Sequence, residues 1–394
     1  MKNTTMVSEL ETLLFEGKLA ESEAALQAKI AADASDDSSR FGLGIVQFLQ
    51  AVERLSQDLS CGGFRTPSDG MGIRLWQLPI AGENTSETMT YTRLRQIAQT
   101  LLDNLTRAET SLSTIQDPEV KVPLHFGMIK MDLNGDGRVE DDETFWKVYA
   151  AMTGSSELRE KKARDFLIVF DRGDVHWLRG YCHLLSTVCE LYLAHDSQEA
   201  FERTGHLFFN KTDSPYQFMR NEKAVMKHGW DELLVLDMVA LIHLIHCNVV
   251  EPNRMASALR HLEAVVAQSK ESWKWIMAET DDDHEWLPNP RQTGVIPNVR
   301  VTEEMVSAWL SMMDQAGDIL AGKLLLPYWR GDRQRGINLR RVFLEPQTFD
   351  LVLWVQGTAA VPYLEYGRIT SVDSWTRLPR VFGQHFPGFA LWFN

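Results

Sequence analysis

The sequence predicts a mainly α-helical, multi-helix globular protein, and three features predict it. Apolar residues recur at helical spacing through long stretches, 231–249, 253–277 and 302–320 among them, while the connectors between such stretches are polar. The 394 residues are enough to bury a substantial core, as one compact domain or as several. Only past Leu326 does the pattern shift to shorter apolar runs broken by Gly and Pro, where a few short strands are expected.

In chain order, Val7 to Ala32 reads as helix, turn, helix. Leu10, Leu13 and Leu14 form the first stripe, Gly17 punctuates, and Leu19, Ala24, Ala25, Leu26 and Ile30 form the second. A third helix is expected from Ser38 to Leu59, carrying Phe41, Ile45, Phe48, Leu49, Val52 and Leu55 on one face. Cys61 to Thr88, rich in Gly, Ser, Pro and Thr, reads as a long loop, and Thr90 to Ser113 as the next helix. Further helices are expected over His176–Leu193, Asp231–Val249, Asn253–Met277 and Thr302–Leu320, with polar connectors over Asn210–Glu222 and Asp281–Asn298. Shorter apolar runs follow at Arg341–Leu344 and Tyr363–Ile369, and 386–394 is apolar enough to dock on the body. The regions are 1–115, 116–155, 156–340 and 341–394.

Composition narrows the function classes. A formal charge of −14 argues against nucleic acid as the main ligand and suits basic partners or divalent cations. No uncharged apolar stretch is long enough for a membrane span, since 233–250 is interrupted by Asp237, His243 and His246. The first residues run straight into a charged amphipathic pattern, so no secretory leader is expected. Cys61, Cys182, Cys189 and Cys247 form no Cys-x-x-Cys pair, so reduced thiols and a cytoplasmic location are expected. The twelve tryptophans are expected mostly in the core.

Phe15 to Ala24, closing at Ala32-Asp33, resembles the end of one tetratricopeptide unit. Gly17, Leu19 and Ser22 match the places that let paired helices pack closely in that family. Ala34 stands where the family commonly has proline, and no second copy follows at a spacing of about 34 residues. The likeness implies a helical-repeat start but not a stacked solenoid, which one unit cannot build.

The most specific run is Asp132-Leu133-Asn134-Gly135-Asp136-Gly137-Arg138-Val139-Glu140-Asp141-Asp142-Glu143. It resembles the twelve-residue calcium loop of the EF-hand family and satisfies each position of that pattern. The resemblance implies Ca2+ held by side-chain oxygens of Asp132, Asn134 and Asp136 and by the Arg138 carbonyl. Glu140 acts directly or through water, and Glu143 supplies two oxygens. Gly137 permits the sharp turn, and Val139 is the apolar plug that pairs with a neighbouring segment. A mere turn-forming cluster requires neither the glutamate at position twelve nor the apolar residue at position eight. Mg2+ is the weaker candidate because it prefers a smaller octahedral site.

The flanks depart from paired hands. Leu124, Met128 and Met131 fall where an entering helix carries apolar residues, but Gly127 fills a place usually apolar and Pro123 limits that helix. Phe145, Val148, Tyr149 and Met152 come one residue late, which turns the exit helix's apolar face by about 100° towards the rest of the chain. Asp171-Arg172-Gly173-Asp174 and Asp281-Asp282-Asp283 lack the ligands of a second hand. A lone hand suits a structural clamp better than a switch.

Other candidates have blander readings. On the 231–249 helix His243 and His246 share a face with Cys247 adjacent and Asp237 nearly two turns earlier, but the glutamate of a zincin motif is absent. These, and Cys182, His183 and Cys189, read as core or interface residues. Glu279 to Trp286 with Pro288 to Arg291 offers carboxylates, an imidazole and a guanidinium for acid–base work, or else an ordinary acidic helix end. Asp171, Arg172, Asp174, His176 and Arg179 read as helix capping and ion pairing. Nucleophile elbows, phosphate loops and dinucleotide fingerprints are missing. The expected function is calcium-bound scaffolding or regulation of a protein or peptide partner. The alternative is an enzyme with structural calcium and a cleft near 279–291.

Overall fold

Local signals set the helix starts. The chain, analysed as a computed structural model, is described over residues 2–64, 87–153, 163–216, 230–296, 300–331, 334–371 and 380–382. Helices α1 (Lys2–Phe15) and α2 (Leu19–Ala32) form a hairpin turned at Gly17, whose φ of +70° lies in the left-handed region that favours glycine. The Asp36 side chain accepts from Ser39 N–H to start α3 (Asp37–Cys61), and Thr90 accepts from Arg93 N–H to start α4 (Tyr91–Ser113). Then come β1 (Val122–Leu124), α5 (Phe145–Thr153), β2 (Ile168–Phe170), α6 (Arg172–Ala194), β3 (His195–Asp196), α7 (Gln198–Thr204), α8 (Trp230–Leu244) and β4 (His246–Val249). The remainder is α9 (Pro252–Ala278), α10 (Glu303–Leu320), β5 (Leu326–Pro327), β6 (Arg335–Ile337), α11 (Leu339–Leu344), β7 (Phe349–Asp350), α12 (Leu351–Gln356) and β8 (Leu364–Tyr366).

The protein is mainly α. Its strands form small antiparallel sheets: β1 with β2, β3-β4-β7, and β5-β6-β8. Among the described residues no helix is long and apolar enough to cross a membrane. Most of the Cys61–Thr88 loop and all of 386–394 lie outside the described residues.

Two expectations need correction. The helix expected over Asp231–Val249 stops at Leu244, and His246 to Val249 form a strand instead. Asn and Val are poor helix formers, and pairing with β3 and β7 satisfies this backbone on both sides. No entering α-helix precedes the 132–143 loop. Pro123 sits in β1, which pairs with β2, and a single 3-10 turn follows at Phe126–Met128. The short strands expected beyond Leu326 are present as β5 to β8, with β1 to β4 earlier in the chain, and Arg341–Leu344 lies within α11.

One core joins α1, α2 and α3 to β1, β2 and the start of α6, with Leu14, Phe41, Val46, Leu124, Ile129 and Leu133 essentially inaccessible to solvent. A second lies between α9 and α10 around Trp273, Ile276, Met305 and Trp309. Helix α6 runs along both α4 and α9 and ties the two cores together. Helices α3 and α4 approach closely at Gly44, where a Cβ would run into the fully buried Leu112 side chain. Gly44→Ala is therefore expected to cost about 1–3 kcal/mol through overpacking. A urea midpoint equal to that of the parent would contradict this contact.

Candidate metal centre

The loop over Asp132–Glu143 is built from its own side-chain-to-backbone turns. Asp132 accepts from Gly135 N–H at 2.8 Å and Gly137 N–H at 3.1 Å, Asn134 from Asp136 N–H at 2.8 Å, and Asp136 from Arg138 N–H at 2.8 Å. Gly135 and Gly137 take φ of +74° and +78°. Glu143, 2 % exposed, reaches back across the loop. Its Oε1 accepts from Leu133 and Asn134 N–H and its Oε2 from Glu140 N–H. Its pKa is raised by burial, against the pull of those N–H groups.

The rest of the chain holds the loop from two sides. One face of α3 supplies Glu53, Ser56 and Gln57. Glu53 Oε1 accepts from Asp132 N–H at 2.8 Å, Ser56 Oγ donates to the Leu133 carbonyl, and Gln57 Nε2 donates to the Asp132 carbonyl, each of the latter two at 2.8 Å. On the other side, Val139 meets the α1–α2 turn so closely that a Cβ on Gly17 would lie 2.6 Å from Val139 Cγ1. The apolar plug thus pairs with the N-terminal hairpin, and the exit helix packs inward through Phe145, whose ring is 4.7 Å from that of Phe126.

The loop offers six oxygen-bearing positions of the hardness calcium prefers. Its carboxylates are not gathered within 4.8 Å of one another. Among the described residues the trio with that spacing is Asp171, Glu279 and Glu285. Residue chemistry and backbone turns fit Ca2+, and the carboxylates would have to draw together around it.

The buried trio combines two charged clusters that lie far apart in sequence. Asp171 caps α6, accepting from Gly173 N–H at 2.7 Å, while Asp174 Oδ2 accepts from Asp171 N–H at 3.1 Å. The expected capping role of these aspartates is thus present. Glu279 follows the end of α9, and its Oε2 accepts from Gln292 Nε2 at 3.0 Å. Glu285, 4 % exposed, accepts from Asp283 N–H at 2.9 Å just after His284, whose φ of +63° bends the chain inward.

Burial dominates the electrostatics here. It pushes Glu285 up to about 7, and with the Asp171 charge pushes Glu279 up to about 10. It raises Asp171 and drives Asp174 well above the usual range. Glu279 and Asp171 share a side-chain hydrogen bond that raises the first and lowers the second, so Glu279 keeps its proton and Asp171 accepts it. Lys121 is paired with Asp281 and lies 3.6 Å from Asp283 at the rim. Such a group can retain protons or hold a divalent cation.

The remaining candidates do not assemble. His243 ends α8 while His246 sits on β4, where its Nδ1 meets Asp350 Oδ2 at 2.8 Å, so the two imidazoles share no helical face. Asp237 faces His206 instead, at 3.8 Å. Cys182 and Cys189 are buried with pKa pushed upward by burial, and all four thiols are free. His183 Nδ1 lies 3.0 Å from His261 Nδ1 beside Glu109, a helix-interface arrangement. Glu53 and Lys121 escaped sequence reasoning. The one signal for Glu53 is that positions 53, 56 and 57 are polar at i, i+3 and i+4 spacing, which places them on one face of α3. No protein-family model matches the chain, and neither a curated protein nor a solved structure shows significant similarity to it.

Proposed function

We propose that this protein binds Ca2+ through Asp132, Asn134, Asp136, the Arg138 carbonyl, Glu140 and Glu143, and serves as a scaffold or regulator of a protein or peptide partner. The observation that carries the reading is Glu143 reaching across its own loop to the N–H groups of Leu133, Asn134 and Glu140. That geometry brings position twelve back against positions two and three at the start of the loop, as an oxygen cage requires. Because Val139 and Asp132 also contact the α1–α2 turn and α3, closing the loop on an ion fixes the N-terminal hairpin against the body. An exposed apolar face supports the partner: Val235, Leu236 and Val239 of α8 and Val352 and Val355 of α12 are all exposed.

Calorimetric titration of chelator-stripped protein with CaCl2 tests this. The parent is expected to bind, and Glu143→Gln, which loses a charge and its bidentate geometry, to bind at least about tenfold more weakly. A melting temperature that rises steeply with calcium marks a clamp. Unchanged affinity in Glu143→Gln or Asp132→Ala overturns the ligand assignment.

The alternative, an enzyme using the 279–291 segment, is favoured by the convergence of Asp171, Glu279 and Glu285 with raised carboxyl pKa values. Titration separates the readings. One ion lost with Glu143→Gln supports the loop, whereas an ion retained there and lost in Asp171→Asn moves the chemistry to the buried trio.

A further inference from the structure

Helices α6 and α9 run antiparallel, and polar side chains meet across their seam at heptad spacing. His176 Nδ1 donates to Gln268 Oε1 at 2.7 Å, His183 Nδ1 lies 3.0 Å from His261 Nδ1, and Arg254 Nη1 donates to Glu190 Oε2 at 2.9 Å. Each step is seven residues forward along α6 and seven back along α9, the repeat that keeps one face of a helix against its neighbour. The Ser272 bond to the Gly173 carbonyl closes the same seam at the start of α6. Polar residues within such a seam fix its register at a cost in stability. Because α6 also packs on α4, this seam is what ties the two cores together.

The three rungs answer acid differently. A protonated His176 still donates Nδ1–H to Gln268, and the Arg254–Glu190 pair is already ionic. The central rung is the sensitive one, since two imidazoles 3.0 Å apart form a hydrogen bond only while one Nδ1 keeps its lone pair. A first added proton has a place at His183 Nε2, 3.7 Å from Glu109 Oε1 on α4. A second sets two N–H groups and two positive charges against each other. Glu109 is already shared with Arg179, which donates to it at 2.8 and 3.0 Å, and the other charged groups acting on the pair are Glu190 of α6 and Arg260 of α9. Burial pushes both imidazoles below the ordinary 6.5, outweighing the pull of Glu109 on His183 and of Glu190 on His261. The folded protein therefore resists protons that the unfolded chain takes up. Stability from the neutral rung is present above the ordinary 6.5 and is lost as pH falls below it.

We propose that this rung is an acid-sensitive latch: when His183 and His261 are both protonated their bond breaks, α6 and α9 loosen, and the tie between the two cores slackens. The latch is separate from the 132–143 loop and does not depend on it. Hydrogen exchange of the full chain, read by mass spectrometry at pH 7.5 and pH 5.0 with EDTA present and corrected for the intrinsic pH dependence of exchange, tests the proposal. In the parent, protection of the α6 and α9 amides around the rung is expected to fall about tenfold or more between the two, the factor that one unit of pKa difference carries. His261→Gln turns the central rung into a copy of His176–Gln268, in which a charged imidazole keeps its acceptor, and is expected to remove most of that fall. At pH 7.5 parent and variant are expected to be protected alike. Unchanged protection in the parent at pH 5.0, or an equal fall in His261→Gln, overturns the proposal. Should His261→Gln fail to fold, His183→Gln, which builds the same kind of rung from the other helix, decides in its place.

Discussion

Replacing Trp273 with alanine is expected to lower the free energy of unfolding by about 3–5 kcal/mol, the cost of emptying a large aromatic site that cannot collapse. Trp273 is completely buried on α9, among Ile276, Met305 and Trp309. Its neighbours prevent the hollow from closing. Ser272 Oγ donates to the Gly173 carbonyl at 3.0 Å and fixes α9 to the start of α6, while Trp309 Nε1 donates to Ser269 Oγ at 2.9 Å and fixes it to α10. Helix α9 is thus held on both sides of the missing ring. Trp329, 55 % exposed, supplies the control, and its replacement by alanine is expected to change stability by about 0.5 kcal/mol or less. Urea unfolding of both variants checks the pair. A loss under about 1 kcal/mol for Trp273→Ala would show that α9 repacks freely and that the second core is not organised around this residue.

The contrast between these tryptophans shows where sequence is informative. Both belong to one residue type, yet the helical periodicity of 253–277 places Trp273 on a buried stripe, while nothing periodic surrounds Trp329. The long helices were legible because their stripes and caps, such as Thr302 accepting from Met305 N–H, are local. The strands were harder. His246 to Val249 become extended where Phe349 and Asp350 lie along their first half and His195 and Asp196 along their second, pairings that no local pattern encodes. The same division separates the two acidic centres. The 132–143 loop is conspicuous in sequence because its oxygen-bearing side chains fall within twelve consecutive residues. The buried trio is not, because Asp171 and Glu279 meet only when α6 and α9 pack, although each segment was already conspicuous for its charge.

That buried meeting of carboxyl groups makes stability depend on pH in an unusual direction, and Glu279→Gln is expected to remove much of the dependence. Glu279 and Glu285 are pushed from the ordinary 4.5 up to about 10 and about 7, so the folded protein keeps protons that the unfolded chain has released. Stability supplied by those protons is complete below about pH 4.5. It is lost as pH rises through about 7 for Glu285 and on towards about 10 for Glu279. A glutamine at 279 has the shape of the protonated glutamate. Its amide can donate to Asp171 as the carboxyl does, and its carbonyl can accept from Gln292 Nε2. Both bonds survive while the ionisation that burial penalises disappears. With EDTA present, parent and variant are expected to unfold alike near pH 4, and the variant to be more stable by about 2–4 kcal/mol near pH 9. Glu279→Ala, which forfeits both bonds, is expected to fall below the parent at low pH. Parallel pH profiles for parent and Glu279→Gln would mean that Glu279 ionises freely in the folded state, and the buried carboxylate centre would then be no tighter than a surface cluster.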